Sequence, residues 1–189
     1  AEKSPAHYQY KGRYMMTAVK SGLMIIDQHR AHVRILFDRY VEQLRRREVV
    51  AQKILFPENI HLSASEEVTF SKISAELQDL GFEISAMGGS SYAVQAVPAG
   101  LEGLNIPDLL RDMIASAQEK TTAIHDEINS TLALTMARKA AIPMGQVLSN
   151  DEMENIFNSL FSSSNPNYTP DGKNILCILK QSEIEHLLE

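Results

Sequence analysis

With 18 Lys and Arg against 24 Asp and Glu among 189 residues, the chain carries a formal net charge of −6, the opposite of what dense neutralisation of a phosphate backbone requires, so DNA is not the obvious main partner of this piece alone. A hydrophobic content of 44% over this length supports one large domain or two small ones with a packed core. No apolar run approaches the roughly 18 residues that span a bilayer, the polar start Ala1-Glu2-Lys3-Ser4-Pro5 looks like the end of a linker, and the lone Cys177 excludes an internal disulfide, in keeping with a reducing cytoplasm.

The β-prone stretches Tyr14 to Val19 and Leu23 to Ile26 flank the turn residues Lys20-Ser21-Gly22 and read as a hairpin. Its second strand runs into Asp27, whose side chain can cap the following helix. From Gln28 to about Arg47, the spacing of Val33, Leu36, Phe37, Tyr40, Val41 and Leu44 predicts that helix, and Arg34, Arg45, Arg46 and Arg47 form a basic face best read as solvated. Ile54 to Leu62 reads as a strand. Ser63-Ala64-Ser65-Glu66 is a capping-box signature for a helix whose apolar residues Phe70, Ile73, Leu77 and Leu80 stop at Gly81. Strands at Phe82 to Met87 and Tyr92 to Val97 and a helix from about Pro107 to Ala117 complete a small unit with its own core.

A helix marked by Ile124, Ile128, Leu132 and Met136 then ends before Pro143. A second capping box, Ser149-Asn150-Asp151-Glu152, opens a helix with the stripe Met153, Ile156, Phe157 and Leu160. After a polar loop from Ser162 to Asn174 comes a last strand, Ile175 to Leu179, in which Cys177 reads as a small buried hydrophobe, and Ser182 opens a short terminal helix. The last strand needs a sheet to join, and the first hairpin is the natural candidate. The expected fold is therefore α+β in two subdomains. One is discontinuous, residues 1–54 and 119–189, with a mixed sheet and helices; the other is an inserted small α/β unit, residues 55–118.

Asp27, His29, His32, Asp38 and Asp171 form the grouping with metal-ligand character. A hydrolytic metal site needs about three protein ligands and an open position for water. Val33, one turn after His29, stands where a carboxylate would complete the cluster, so spacing alone favours a helix cap with two first-turn histidines. A Gly-rich phosphate loop and a recognisable Ser or Cys nucleophile are both missing from the sequence. Gln52-Lys53-Ile54-Leu55-Phe56-Pro57 admits two readings: a segment that offers Leu55 and Phe56 to an external apolar pocket with Gln52 as anchor, or the start of a buried strand. Composition leaves both open.

Together these segments resemble the C-terminal domain of the MutL mismatch-repair family, from about Tyr8 to Leu188. Members carry a strand ending in Asp-Gln-His-Ala with Glu three positions later; here Asp27, Gln28 and His29 match, while Arg30 replaces the Ala and Val33 the Glu. The runs Ile142-Pro143-Met144-Gly145-Gln146-Val147-Leu148 and Ser163-Ser164-Asn165-Pro166-Asn167 are also similar to family segments. In nicking members the resemblance draws further metal ligands from an Ala-Cys-Arg segment and a late Cys-Pro-His-Gly-Arg-Pro turn. This chain has Met136-Ala137-Arg138 and Thr169-Pro170-Asp171-Gly172-Lys173-Asn174 there.

The resemblance thus implies a degenerate endonuclease motif (Asp27, Gln28, His29, Val33, Ala137, Thr169, Asp171), with no catalytic residue, metal or cofactor in this domain. It implies a homodimerisation subdomain with a regulatory insertion, in a cytoplasmic protein whose ATPase domain would precede Ala1. It implies a sliding-clamp segment of the form Gln-x-x-Leu-x-Pro, matched by Gln52, Leu55 and Pro57 with Ile54 and Phe56 beside them. The mismatch-recognition protein MutS is the other implied partner, and DNA would be met mainly through the full-length protein. The rival reading is a divergent metal-dependent nickase using Asp27, His29, His32, Asp38 and Asp171.

Overall fold

The structure, a computed structural model, describes residues 7–101, 103–120 and 125–189. In chain order its elements are β1 (Tyr8–Tyr10), β2 (Tyr14–Val19), β3 (Gly22–Asp27), α1 (Gln28–Arg46), β4 (Ala51–His61), α2 (Ala64–Leu80), β5 (Glu83–Gly88), β6 (Ser91–Pro98), α3 (Ile106–Gln118), α4 (His125–Ala140), α5 (Asn150–Phe161), β7 (Leu176–Lys180) and α6 (Gln181–Leu187). The class is α+β. Two compact units divide the chain: the described residues up to Asp38 together with Ala141–Glu189, and those of Arg39–Ala140.

In the first unit the sheet order is β1-β2-β3-β7, antiparallel at every step. Alternation along the strands turns Met15, Met24 and Ile26 inward, where they meet Ala31 of α1, Met153, Ile156 and Leu160 of α5, and Ile175. The α5 helix is capped by Ser149, whose Oγ accepts the Glu152 N–H at 3.1 Å. The mixed sheet expected from the sequence is replaced by a purely antiparallel one, because β7 enters beside β3 running against it. Cys177 departs from expectation too: it is exposed. It lies on an edge strand and pairs with Ile25, on the sheet face opposite Ile26 and Met24. Three-residue β1 is too short to leave a periodic signal.

The second unit holds an antiparallel sheet of order β4-β6-β5. Helix α2 has the expected capping box: Ser63 Oγ accepts the Glu66 N–H at 3.2 Å and the Glu66 carboxylate accepts the Ser63 N–H at 2.9 Å. It ends at Gly81, whose φ of 114° lies in the left-handed region that glycine tolerates. Ile73, Leu77, Phe82, Val94, Leu110 and Met113 fill the core. Helix α4 packs on α3 within this unit: Leu132, Ala133, Met136 and Ala137 are wholly buried, and Lys139 pairs with Asp112 at 2.7 Å. This compact unit comprises the described residues of Arg39–Ala140, with the apolar face of α4 buried in it. Ile124, expected to mark that helix, lies outside the described residues, as does the start Ala1 to Pro5. Among the described residues no helix is long and apolar enough to cross a membrane.

Candidate functional site

Strand β3 ends by placing Asp27 at the first turn of α1, with its N–H bonded to Ile175 O at 2.8 Å. One carboxylate oxygen caps the helix, accepting the Arg30 N–H at 3.0 Å. The other lies 3.9 Å from Arg13 Nε and 3.7 Å from Arg30 Nε. Gln28 is completely buried, and both ends of its amide are hydrogen-bonded. Nε2 donates to Gly12 O at 2.8 Å and Gln146 O at 3.2 Å, while Oε1 accepts from Gln9 Nε2 at 2.8 Å. This network ties the β1–β2 turn to the segment before α5. Gly12 is required at that closure: its φ is +59°, and a Cβ there would stand 2.9 Å from the Gly145 backbone.

The two histidines bracket one peptide unit. His29 Nδ1 donates to Ile142 O at 2.8 Å, and Ile142 N–H donates to His32 Nδ1 at 2.8 Å. The roles are opposite. With its proton on Nδ1, His29 keeps a lone pair at Nε2, whereas neutral His32 spends its lone pair on Ile142 and carries its proton at Nε2. One imidazole of the two is left able to ligate. Val33 is 3% exposed and apolar.

Asp38 is committed to a loop. It accepts from Arg34 Nη1 at 3.1 Å, from Ser164 N–H at 2.7 Å and from Ser164 Oγ at 2.9 Å. Arg34 in turn donates from Nε and Nη2 to Tyr168 O at 3.0 and 2.8 Å. Expected on the solvated basic face, Arg34 is instead buried, because its fork holds the loop from Ser164 to Tyr168 against α1. Asp171 accepts from Thr169 Oγ1 at 2.7 Å within its own turn. Ala137 belongs to the other unit. Among the described residues no group of three or more His, Cys, Asp and Glu is placed to hold a metal ion.

Gln52 to Pro57 lie in β4, where the pairing with β6 breaks. Lys53 faces Ala96 and the next pair is Glu58 with Val94, so four residues stand opposite Gln95 alone. The extra length bulges outward. Leu55 is 85% and Phe56 79% exposed, which excludes the buried-strand reading. Beside the bulge runs a groove of about 330 Å³ lined by Gln52, Ile54, Leu55, Val97, Leu101 and Leu104.

A second apolar surface lies on the outer face of the first unit's sheet. The register aligns Tyr8, Met16, Ile25 and Cys177 across all four strands, with Tyr14, Leu23 and Leu179 on the same face. None of the seven is buried. Sequence reasoning missed this row because β1 was missed. It also missed Gln9, Arg13 and Arg34, whose roles depend on partners more than a hundred positions away or across a turn.

Comparison with known proteins gives a consistent result. The family described as MutL C terminal dimerisation domain matches residues 7–148. The DNA mismatch repair protein MutL of Phocaeicola vulgatus is 49% identical over 189 residues, covering 100% of this chain and 30% of that protein. That of Bacteroides fragilis is 50% identical over 98% of this chain, and that of Chlorobaculum tepidum 34% over 98%, each again across 30% of the relative. The chain thus spans under a third of the length of the curated relatives it matches.

Proposed function

Because the chain belongs to the family of MutL C terminal dimerisation domains, we propose that it holds a DNA mismatch repair mediator together as a homodimer, two copies meeting through the outer face of the β1-β2-β3-β7 sheet. The observation that carries this reading is the continuous row Tyr8, Met16, Ile25 and Cys177, apolar and uncovered on all four strands. A two-fold axis through such a face matches each side chain with a like surface, the simplest closed assembly. Pairing would keep two copies of whatever precedes this domain at high effective concentration, including the ATPase domain that the resemblance implies, in a cytoplasmic protein.

The exposed bulge of β4 is the docking segment for a replication sliding clamp, with Leu55 and Phe56 as apolar anchors and Gln52 and Pro57 fixing its ends. MutS is the partner that would couple mismatch recognition to the dimer. The Asp27 turn is a retained scaffold without nuclease chemistry. What supports this is the engagement of Asp38 and His32 in packing bonds, the pairing of Asp27 with two arginines, and the apolar Val33.

Light scattering of the chain at micromolar concentration tests the main claim. A dimer is expected for the native chain and a monomer for Ile25→Glu, which puts two like charges near the axis. A native monomer, or a dimer indifferent to Ile25→Glu and Met16→Glu, refutes the assigned face.

A further inference from the structure

Helix α2 buries a charge that its surroundings only half answer. Glu76 is 7% exposed and lies on the face that also carries Ile73, Leu77 and Leu80, all buried. One carboxylate oxygen, Oε1, stands 3.0 Å from His125 Nδ1 on the first turn of α4. The other, Oε2, is buried without a hydrogen-bond partner, and among the described residues no Lys or Arg pairs with either oxygen. A carboxylate left in an interior with one oxygen unanswered is a costly group to keep.

A second orphan lies one turn along α4. Asn129 follows His125 by four positions, so the two share the stripe that Leu132 and Met136 continue into the core. Its Oδ1 is also buried without a partner. Of the three buried side-chain polar atoms that lack a partner among the described residues, two are therefore the oxygens of Glu76 and Asn129. Both are acceptors, and α2 and α4 bring them to their junction beside an imidazole with no donor to satisfy them. A donor-poor group of nitrogen and oxygen ligands asks for a cation.

We infer that Glu76, His125 and Asn129 bind a zinc ion that pins the first turns of α4 onto α2. An imidazole beside a carboxylate and an amide oxygen suits a borderline ion, whereas calcium and magnesium favour oxygen ligands alone. Only two of the three ligands are histidine or carboxylate; the amide completes the set. The geometry needs little adjustment. Tetrahedral zinc with bonds of about 2.0 to 2.1 Å holds its ligand atoms about 3.4 Å apart, so Glu76 Oε1 and His125 Nδ1 need only spread slightly from their 3.0 Å. The His125 side chain is 65% exposed, which leaves a path for entry and a fourth position for water. The role is structural: the ion supplies the positive charge that buried Glu76 lacks. Both helices belong to the second unit, so the site shares no residue with the Asp27 turn and does not rest on dimerisation. Manganese, far lower in the affinity order for such ligands, is not its ion.

The test strips the 189-residue chain with EDTA, dialyses it, titrates it with zinc chloride by calorimetry and melts it in zinc or in EDTA. One zinc per chain is expected, with a melting temperature several degrees higher at about 100 µM zinc. His125→Ala and Glu76→Gln should each weaken zinc binding by about tenfold or more. His29→Ala, which removes an imidazole with a spare lone pair elsewhere, should bind zinc as the native chain does. In EDTA, Glu76→Gln should melt no lower than the native chain, because the unanswered charge is gone; in zinc it should melt lower. Four results overturn the inference: no zinc bound by the native chain at that concentration, binding that both His125→Ala and Glu76→Gln leave intact, loss of the zinc in His29→Ala, or a Glu76→Gln chain that melts below the native one by the same margin in both media.

Discussion

Val33 decides the chemistry of the Asp27 turn through burial as well as through its missing carboxylate. At 3% exposure it lies in an apolar interior, one turn from His29. Introducing the acid as Val33→Glu should therefore lower stability by about 3 kcal/mol, the cost of an unpaired buried carboxyl group. Manganese distinguishes a lost ligand from a lost site. If three ligands were one substitution away, metal binding to the folded variant would raise its melting temperature by mass action. The bonds around Ile142 predict no such rise, since His32 has already given its lone pair to a backbone N–H. A Tm recovered by several degrees on adding millimolar manganese would show that the turn still assembles a metal site.

Among the elements, β4 shows what sequence pattern does and does not carry. Helices α1, α2 and α5 and the β2–β3 hairpin were legible from apolar spacing and caps, because each buries one apolar face and leaves the other polar. The bulge was legible only in part, since the strand-like composition of Gln52 to Pro57 left exposure as one of two readings; the register break opposite Gln95 is what turns Leu55 and Phe56 to solvent. Arg34 and Cys177 were misread for the same kind of reason: loop closure buries one and the sheet edge exposes the other. The exposure of the bulge makes it separable from folding. Replacing Gln52 and Leu55 together by Ala should abolish binding to a sliding clamp while shifting stability by no more than about 0.5 kcal/mol. Surface plasmon resonance on immobilised clamp, run beside a thermal melt, checks both halves; unchanged clamp affinity returns the segment to a purely structural role.

For the whole molecule, the two readings of this fold differ in what the dimer does to DNA. As a nickase it would need a metal-activated water, hence several free ligands at one place. Asp27 instead faces two guanidiniums, Asp38 holds Ser164, and Asp171 is bonded within its own turn. As a dimeric scaffold it needs only an apolar face and exposed docking segments. Supercoiled plasmid incubated with the dimer and millimolar manganese should thus remain supercoiled over hours. His29→Ala, which removes the one imidazole with a spare lone pair, should give the same gel. Relaxation above a chelated control that disappears in His29→Ala would restore the enzymatic reading.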